Sequence, residues 1–575
     1  MSYRAPVADI TFTLLNAAGL SAALAEGLYG DLDEATVEAV LEEAGKFATD
    51  AIAPLNTVGD KFGTPFKDGA VTTPPGWKEA YAAWAGGGWN GLAAPASWGG
   101  QDLPHALNAA CVEMWNSASM AFAIGPVLTM AAIDALAADG SDELKQQYLG
   151  KLVNGEWMGT MQLTEPQAGS DVGALRSKAK RAEDGTYRIS GQKIFITYGE
   201  HDLTDNIIHF VLARLPGAPA GTKGISLFLI PKILPNGTRN DVRAHSIEHK
   251  LGIHASPTCT MVYGDHGGAV GYLVGEEHKG MASMFRMMNR ARLAVGLQGV
   301  GIAERATQQA LSYARERRQG GNAIVHYPDV QRMLLTMRAL TQAARAICYQ
   351  TGVALDRSLR EKDEARRRAA HERASLLTPI AKAFSTDIGI EVASLGVQVH
   401  GGMGFIEETG AAQHYRDARI AAIYEGTNGI QALDLVARKV PLEGGQTVAL
   451  YLDELRSTVA DVQASNAPAF GATAARLNEA VDSLDRATQW LLAQKGSASA
   501  LAGATPYLRL FGNTAGGCLL ANQALAALRA GTGGAERTGL ARFFAENIAV
   551  QTSGLERAVT EGADSVAQAQ TALVE

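Results

Sequence analysis

From Asp33 the run ATVEAVLEEAGKFATDAIAPLN spaces its apolar residues at helical intervals, with acidic residues near its start and Pro54 after its end, and predicts a helix marked at both ends. Similar patterns continue to about Trp157. The texture then changes: TYRISGQKIFIT, IIHFVLARL and GISLFLIPK are short runs of β-branched, aromatic and aliphatic residues separated by Gly, Pro, Asn and Asp, and they predict strands. Helical periodicity returns at Gly280 and persists through Asp329–Arg360 and Thr378–Val399 to near Pro441. Beyond Gly444-Gly445 several further helices follow, split at Gly, Ser and Pro clusters. The expected architecture is mainly α with a central β domain: helical over 1–158, β over 159–278, helical over 279–444, and a C-terminal helical bundle over 445–575.

A chain of 575 residues is too long for one hydrophobic core, which agrees with several packed domains. Its 47% hydrophobic and 19% charged residues are those of a folded helical protein rather than a disordered one. A net charge of −8 disfavours a chain built to neutralise nucleic-acid phosphates. Cys111, Cys259, Cys348 and Cys518 lie far apart without a CxxC pair, so neither a disulfide framework nor a zinc site is signalled, and a reducing, cytoplasmic location is expected. The N-terminus lacks the basic and apolar regions of a secretory signal. The most apolar stretch, Ala121 to Ile133, is interrupted by Gly125-Pro126 and falls short of the roughly 18 residues a membrane span needs, so a buried helix is expected there and no integral membrane association.

Three segments could carry chemistry. MQLTEPQAGSDVG, residues 161–173, sets Thr164 and Ser170 around a Pro- and Gly-rich turn where a flat ligand could approach the backbone; a plain turn explains the same residues more simply. In GQKIFITYG, residues 191–199, alternation puts Phe195 and Thr197 on one strand face, a surface for an aromatic heterocycle or one face of a packed sheet. In VHGGMGF, residues 399–405, followed by IYEGTNGIQALDLVARK, residues 423–439, one carboxylate precedes an apolar-periodic helix. It either favours the helix dipole or projects as a base into a pocket.

Other patterns are weaker. His245 to His249 spell H-x-x-E-H, but a zinc site of that kind needs both histidines on one helical face and the surroundings read as loop and strand, so no metal is expected. The run RSLREKDEARRRAAHERAS, residues 357–375, interleaves acids with bases and reads as a solvated helical hairpin. GLQGVG and GGMG match neither the dinucleotide fingerprint nor the phosphate loop.

TEPQAGSD, IFIT, ERR, HGGMGF and YEGT occur in the order and at the spacing of the acyl-CoA dehydrogenases, and the chain resembles that family over residues 30–440. The helical–β–helical order resembles its architecture, with a β-barrel-like middle, and the extra C-terminal bundle resembles its long forms. Among these, MSYRAPVADI and MMNRARLAVGLQGVG are similar to the 3-methylmercaptopropionyl-CoA dehydrogenase subgroup.

The resemblance implies FAD-dependent α,β-dehydrogenation of an acyl-CoA thioester to the trans-2-enoyl-CoA, in β-oxidation of fatty acids or in dimethylsulfoniopropionate catabolism. Electrons would pass to an electron-transfer flavoprotein. Glu425 would remove the α proton. Met161, Leu163 and Thr164 would line the flavin, Phe195 would cover it, and Thr197 would bond near its N5. Ser170 would sit where FAD meets the pantetheine arm of the substrate, and Thr427 would also contact the cofactor. Arg317 would reach the FAD pyrophosphate of a second subunit, with Gln398 and Gly402 beside it, which implies a homodimer. Tyr424, Gly426, Arg292 and Asn289 would contact substrate, although Asp is common at the last position in the family. Gly429 and Pro328 replace residues that other members use near FAD. An acyl-CoA oxidase and a non-enzymatic DNA-associated protein on the same fold are the alternatives.

Overall fold

The computed structural model describes residues 3–573, apart from the side chains of 285–289 and 571. The helix expected after Asp33 is α1 (Glu34–Phe47); the Asp33 carboxylate accepts a 2.8 Å hydrogen bond from the Thr36 amide and so caps its first turn. Val37, Leu41 and Ala44 form its buried stripe. That stripe packs on α2 (His105–Asp139), whose face carries Trp115 and Phe122 into an aromatic cluster with Trp77 and Trp84. The sequence predicts an apolar stretch interrupted at Gly125-Pro126. Instead the helix runs through Pro126 and is long and apolar enough to cross a membrane, but 78% of its most apolar window is buried inside the protein. Its break falls earlier, at Ser119 (φ −160°, ψ 106°), and the Arg305 guanidinium donates to the carbonyls of Ser117 and Ala118 that the break leaves unpaired.

Eight strands follow: β1 (Met158–Gln162), β2 (Lys178–Arg181), β3 (Tyr187–Thr197), β4 (Ile207–Arg214), β5 (Ile225–Pro231), β6 (Val242–Ile247), β7 (Thr258–Tyr263) and β8 (Ala269–Val274). The order β8-β5-β4-β2-β3 closes on itself because β8 also pairs with β3, giving a barrel; β3 continues past the closure to pair with β7 and then β6. β1 lies parallel to β4, Met161 opposite Phe210. Both faces of this sheet are covered. Ile208, Phe210 and Leu212 enter one apolar cluster with Met161, whereas Val211 and Ala213 enter another with Phe228 and Ile230, which is why these strands read as continuous apolar runs. His245 lies on β6 and His249 beyond its end, so they do not stack on a helix face.

Three long helices, α3 (Gly280–Glu316), α4 (Pro328–Arg360) and α5 (Glu364–His400), form the second helical unit. Residues 357–375 span the α4–α5 hairpin, where Asp363 caps α5 by accepting from the Arg366 amide at 2.8 Å and the charges pair locally, Arg357 with Glu361 and Arg368 with Glu372. After the short α6 (Asn428–Asp434) comes the C-terminal bundle: α7 (Gln446–Ala464), α8 (Thr473–Gln494), α9 (Ala504–Ala530), α10 (Gly534–Asn547) and α11 (Thr552–Thr560). Its central α9 docks on α4 and α5 through small residues: a Cβ at Gly512 would lie 2.2 Å from Phe384, and one at Gly516 would lie 2.8 Å from Ala343.

Candidate active site

The carboxylate of Glu425 stands in a tight loop that ends at α6. Glu425 (φ +55°) and Gly426 (φ +83°) are consecutive left-handed residues, a conformation that costs a non-glycine residue about 1–2 kcal/mol. Three neighbours hold it. Lys382, from the middle of α5 and fully buried, donates through Nζ to the Gly426 carbonyl at 2.9 Å and to Asn428 Oδ1 at 2.8 Å. Gln431 donates to the Glu425 and Gly426 carbonyls at 3.1 and 3.4 Å. Thr427 caps α6, its hydroxyl accepting from the Ile430 amide at 3.3 Å.

Two cations face this loop. Arg292, 6% exposed on α3, lies 3.5 Å from Asp434, has no partner for its Nε among the described residues, and approaches Gly426. Burial raises the pKa of Glu425 and outweighs the opposing pull of Arg292 and Lys382. Burial likewise pushes the Lys382 amine down to about 7 against the attraction of Glu425 and Asp387. Tyr424 is anchored by donating to Gln298 of α3. Leu293 and Leu297, beside Arg292 and Gln298 in sequence, line a cavity of about 60 Å³ with Val112 and Val127 of α2 and with the ion-paired Arg290 and Asp134.

A second group lies on the β domain. β3 slips register between Lys193 and Ile196, and within that bulge Phe195 takes φ +60° and is 60% exposed. The bulge is what keeps Phe195 out of the sheet core, so simple alternation does not describe it. Met161 is buried; Leu163, Thr164 and Thr197 are half-buried, and Ser170 is exposed. The Ile194 amide donates to the Thr164 carbonyl at 3.0 Å, tying the bulge to the 161–170 loop. The hydroxyls of Thr164 and Thr197 have no partner among the described residues. A projecting ring flanked by two unused hydroxyls on a fixed backbone fits a flat, hydrogen-bonding heterocycle such as a flavin.

The 161–170 loop is pinned by a group the sequence reading passed over. Lys193, fully buried, donates to the Leu163 carbonyl at 3.1 Å and to Glu165 at 2.8 Å; Glu165 also accepts from the amides of Arg176 and Ser177 and from the Ser177 hydroxyl.

Arg317, Gln398 and Gly402 are exposed at a third place, where α3 and α5 end together; Tyr313 stacks on His400 at 4.4 Å and holds the two ends in register. Met403, Phe405 and Ile406 are exposed on the same turn. Asn289 lies outside the described residues. Among the described residues no group of three or more His, Cys, Asp and Glu could hold a metal ion.

The chain belongs to the acyl-CoA dehydrogenase family: it matches the N-terminal domain over 34–156, the middle domain over 160–266 and the C-terminal domain over 278–440, followed by an acetyl-CoA dehydrogenase C-terminal-like domain over 451–570. It is therefore an oxidoreductase. It is 47% identical to a 3-methylmercaptopropionyl-CoA dehydrogenase of Ruegeria pomeroyi, covering 98% of this chain and 99% of that one. A structure of an acyl-CoA dehydrogenase complexed with FAD from Bacillus anthracis has the same fold (TM-score 0.75, 22% identity, 95% and 92% covered). A chain from a study of the electron transferring flavoprotein of Acidaminococcus fermentans is 27% identical, with TM-score 0.60 over 71% of this chain and 98% of that chain.

Proposed function

We propose that this chain binds FAD and converts an acyl-CoA thioester to the trans-2-enoyl-CoA, with Glu425 as the base that takes the α proton. The observation that carries the reading is the loop itself: a carboxylate in left-handed backbone, raised in pKa by burial and faced by two buried cations. A free glutamate is a weak base for a C–H bond, and each pKa unit gained recovers about 1.4 kcal/mol of driving force. By resemblance to the family, the Glu425 amide would donate to the thioester oxygen, where charge develops as the proton leaves.

When bound, FAD supplies the acceptor for the β hydrogen. Met161, Leu163, Thr164, Phe195, Thr197 and Thr427 would hold it, with Ser170 at its junction with the pantetheine arm. Tyr424, Gly426, Asn289 and Arg292 would hold substrate. Arg317, Gln398 and Gly402 would complete the site of a second subunit, so the protein acts as a homodimer, with an electron-transfer flavoprotein as acceptor in the cytoplasm. The 47% identity over 98% of this chain supports 3-methylmercaptopropionyl-CoA as substrate, with a fatty acyl-CoA as the alternative.

The visible spectrum of purified protein, mixed anaerobically with a panel of acyl-CoA thioesters including 3-methylmercaptopropionyl-CoA, tests this. Rapid bleaching of bound flavin, fastest with that thioester, is expected. No flavin, or flavin inert across the panel, would overturn the reading, and rapid turnover with oxygen alone would point to an oxidase.

A further inference from the structure

We infer that Lys382 is a positioning residue for the base loop: its ammonium, held by the Gly426 carbonyl and Asn428, fixes the left-handed Glu425–Gly426 turn and supplies the countercharge against which the carboxylate works. The inference rests on Glu425 being the base. Lys382 is fully buried in α5, in the otherwise apolar run Ile380, Ala381, Ala383 and Phe384. A buried amine is costly unless its protons are satisfied, and here its acceptors are the Gly426 main-chain carbonyl of the strained turn and the side chain of Asn428, the first residue of α6.

The charges facing this pair come from four helices, α3, α5, α6 and α9. Asp387, one turn along α5, bonds to Asn428 at 2.7 Å, so Asn428 bridges the lysine to a second carboxylate. Arg509 of α9 lies near Asp387 and pairs with Glu391 at 2.9 Å. From α3, Arg292 approaches with its own acid, Asp434. Each charge favours the other: Glu425 raises the Lys382 amine and Lys382 lowers the Glu425 carboxyl, both against burial. Removing the lysine charge takes away an influence that lowers the carboxyl, so Glu425 must then hold its proton to higher pH. Removing its hydrogen bonds frees the turn.

The test uses the FAD-bound full-length protein with Lys382→Gln and Lys382→Met, reading the pH profile of anaerobic flavin reduction by saturating 3-methylmercaptopropionyl-CoA or butyryl-CoA, and amide hydrogen exchange of residues 423–431. Both variants are expected to keep the flavin and to move the rising limb of the profile to higher pH. The Met variant should in addition show faster exchange in the loop and a limiting rate lower by about 100-fold, the scale on which a reacting group displaced by about 1 Å loses activity. The Gln variant keeps a hydrogen-bond donor and separates charge from geometry, and it decides the matter if the Met variant does not fold. An unmoved limb with unchanged exchange in either folded variant would overturn the inference. A base other than Glu425 would show separately, as normal reduction in Glu425→Gln.

Discussion

Replacing Gly426 with alanine perturbs the geometry of the base without touching its carboxylate. Gly426 has φ +83°, and a Cβ built there would lie 2.8 Å from Gln431 Nε2, 3.7 Å from Ile430 and 3.9 Å from Arg292 Nη2. The left-handed conformation costs an alanine about 1–2 kcal/mol. The Gln431 amide must also retreat, weakening its bonds to the Glu425 and Gly426 carbonyls, worth about 1 kcal/mol each. The turn therefore carries roughly 2–4 kcal/mol of new strain, most cheaply relieved by rotating the loop and displacing Glu425. Anaerobic stopped-flow reduction should fall on the order of 100-fold, with a drop of a few degrees in melting temperature from whatever strain the loop retains. Wild-type reduction by Gly426→Ala would refute the claim that the backbone of this loop sets catalysis.

Three further outcomes are expected. Lys193→Met leaves the buried Glu165 carboxylate without its cation, a loss of about 3–5 kcal/mol, read as a lower melting temperature and weaker FAD retention. In the native protein, burial pushes Glu165 up, but Lys193, Ser177 and the backbone donors prevail and hold it at about 2; its folded pKa lies below the ordinary 4.5, so its contribution is present above pH 4.5 and is lost as pH falls toward 2, which an acid titration of stability would show in the native protein and not in Glu165→Gln. Gly512→Ala places a methyl 2.2 Å from buried Phe384 and should loosen the C-terminal bundle by about 1–3 kcal/mol. Proteolysis near Pro441–Gly445 would then quicken, and an unchanged digestion pattern would contradict the docking described for α9.

The layer order was legible because periods of 3.6 and 2 survive burial of one face, and β4 and β5 were readable even when both faces are covered. The base loop was legible because Tyr424 to Thr427 lie together in sequence. What holds that loop was not. Lys382 stands 43 positions before Glu425 by subtraction of their numbers, in the interior of a helix, and only contact shows that it reaches back. The available signal was a single lysine in TPIAKAF, which a surface lysine would also give. Glu165 and Lys193 escaped for the same reason, each reading as an ordinary turn or strand residue until paired. The burial of α2 was legible but its continuity was not, because Gly125-Pro126 reads as an interruption in sequence, whereas packing carries the helix through Pro126. The exposure of Phe195 depends on a register slip that alternation cannot express.

The central claim is that Glu425 removes the α proton. The most direct measurement is anaerobic reduction of the bound flavin in Glu425→Gln, which keeps the side chain's shape and removes its basicity. The account predicts a variant that folds, holds FAD and binds acyl-CoA, yet reduces its flavin several orders of magnitude more slowly than wild type. Reduction at near wild-type rate would show that another group takes the proton.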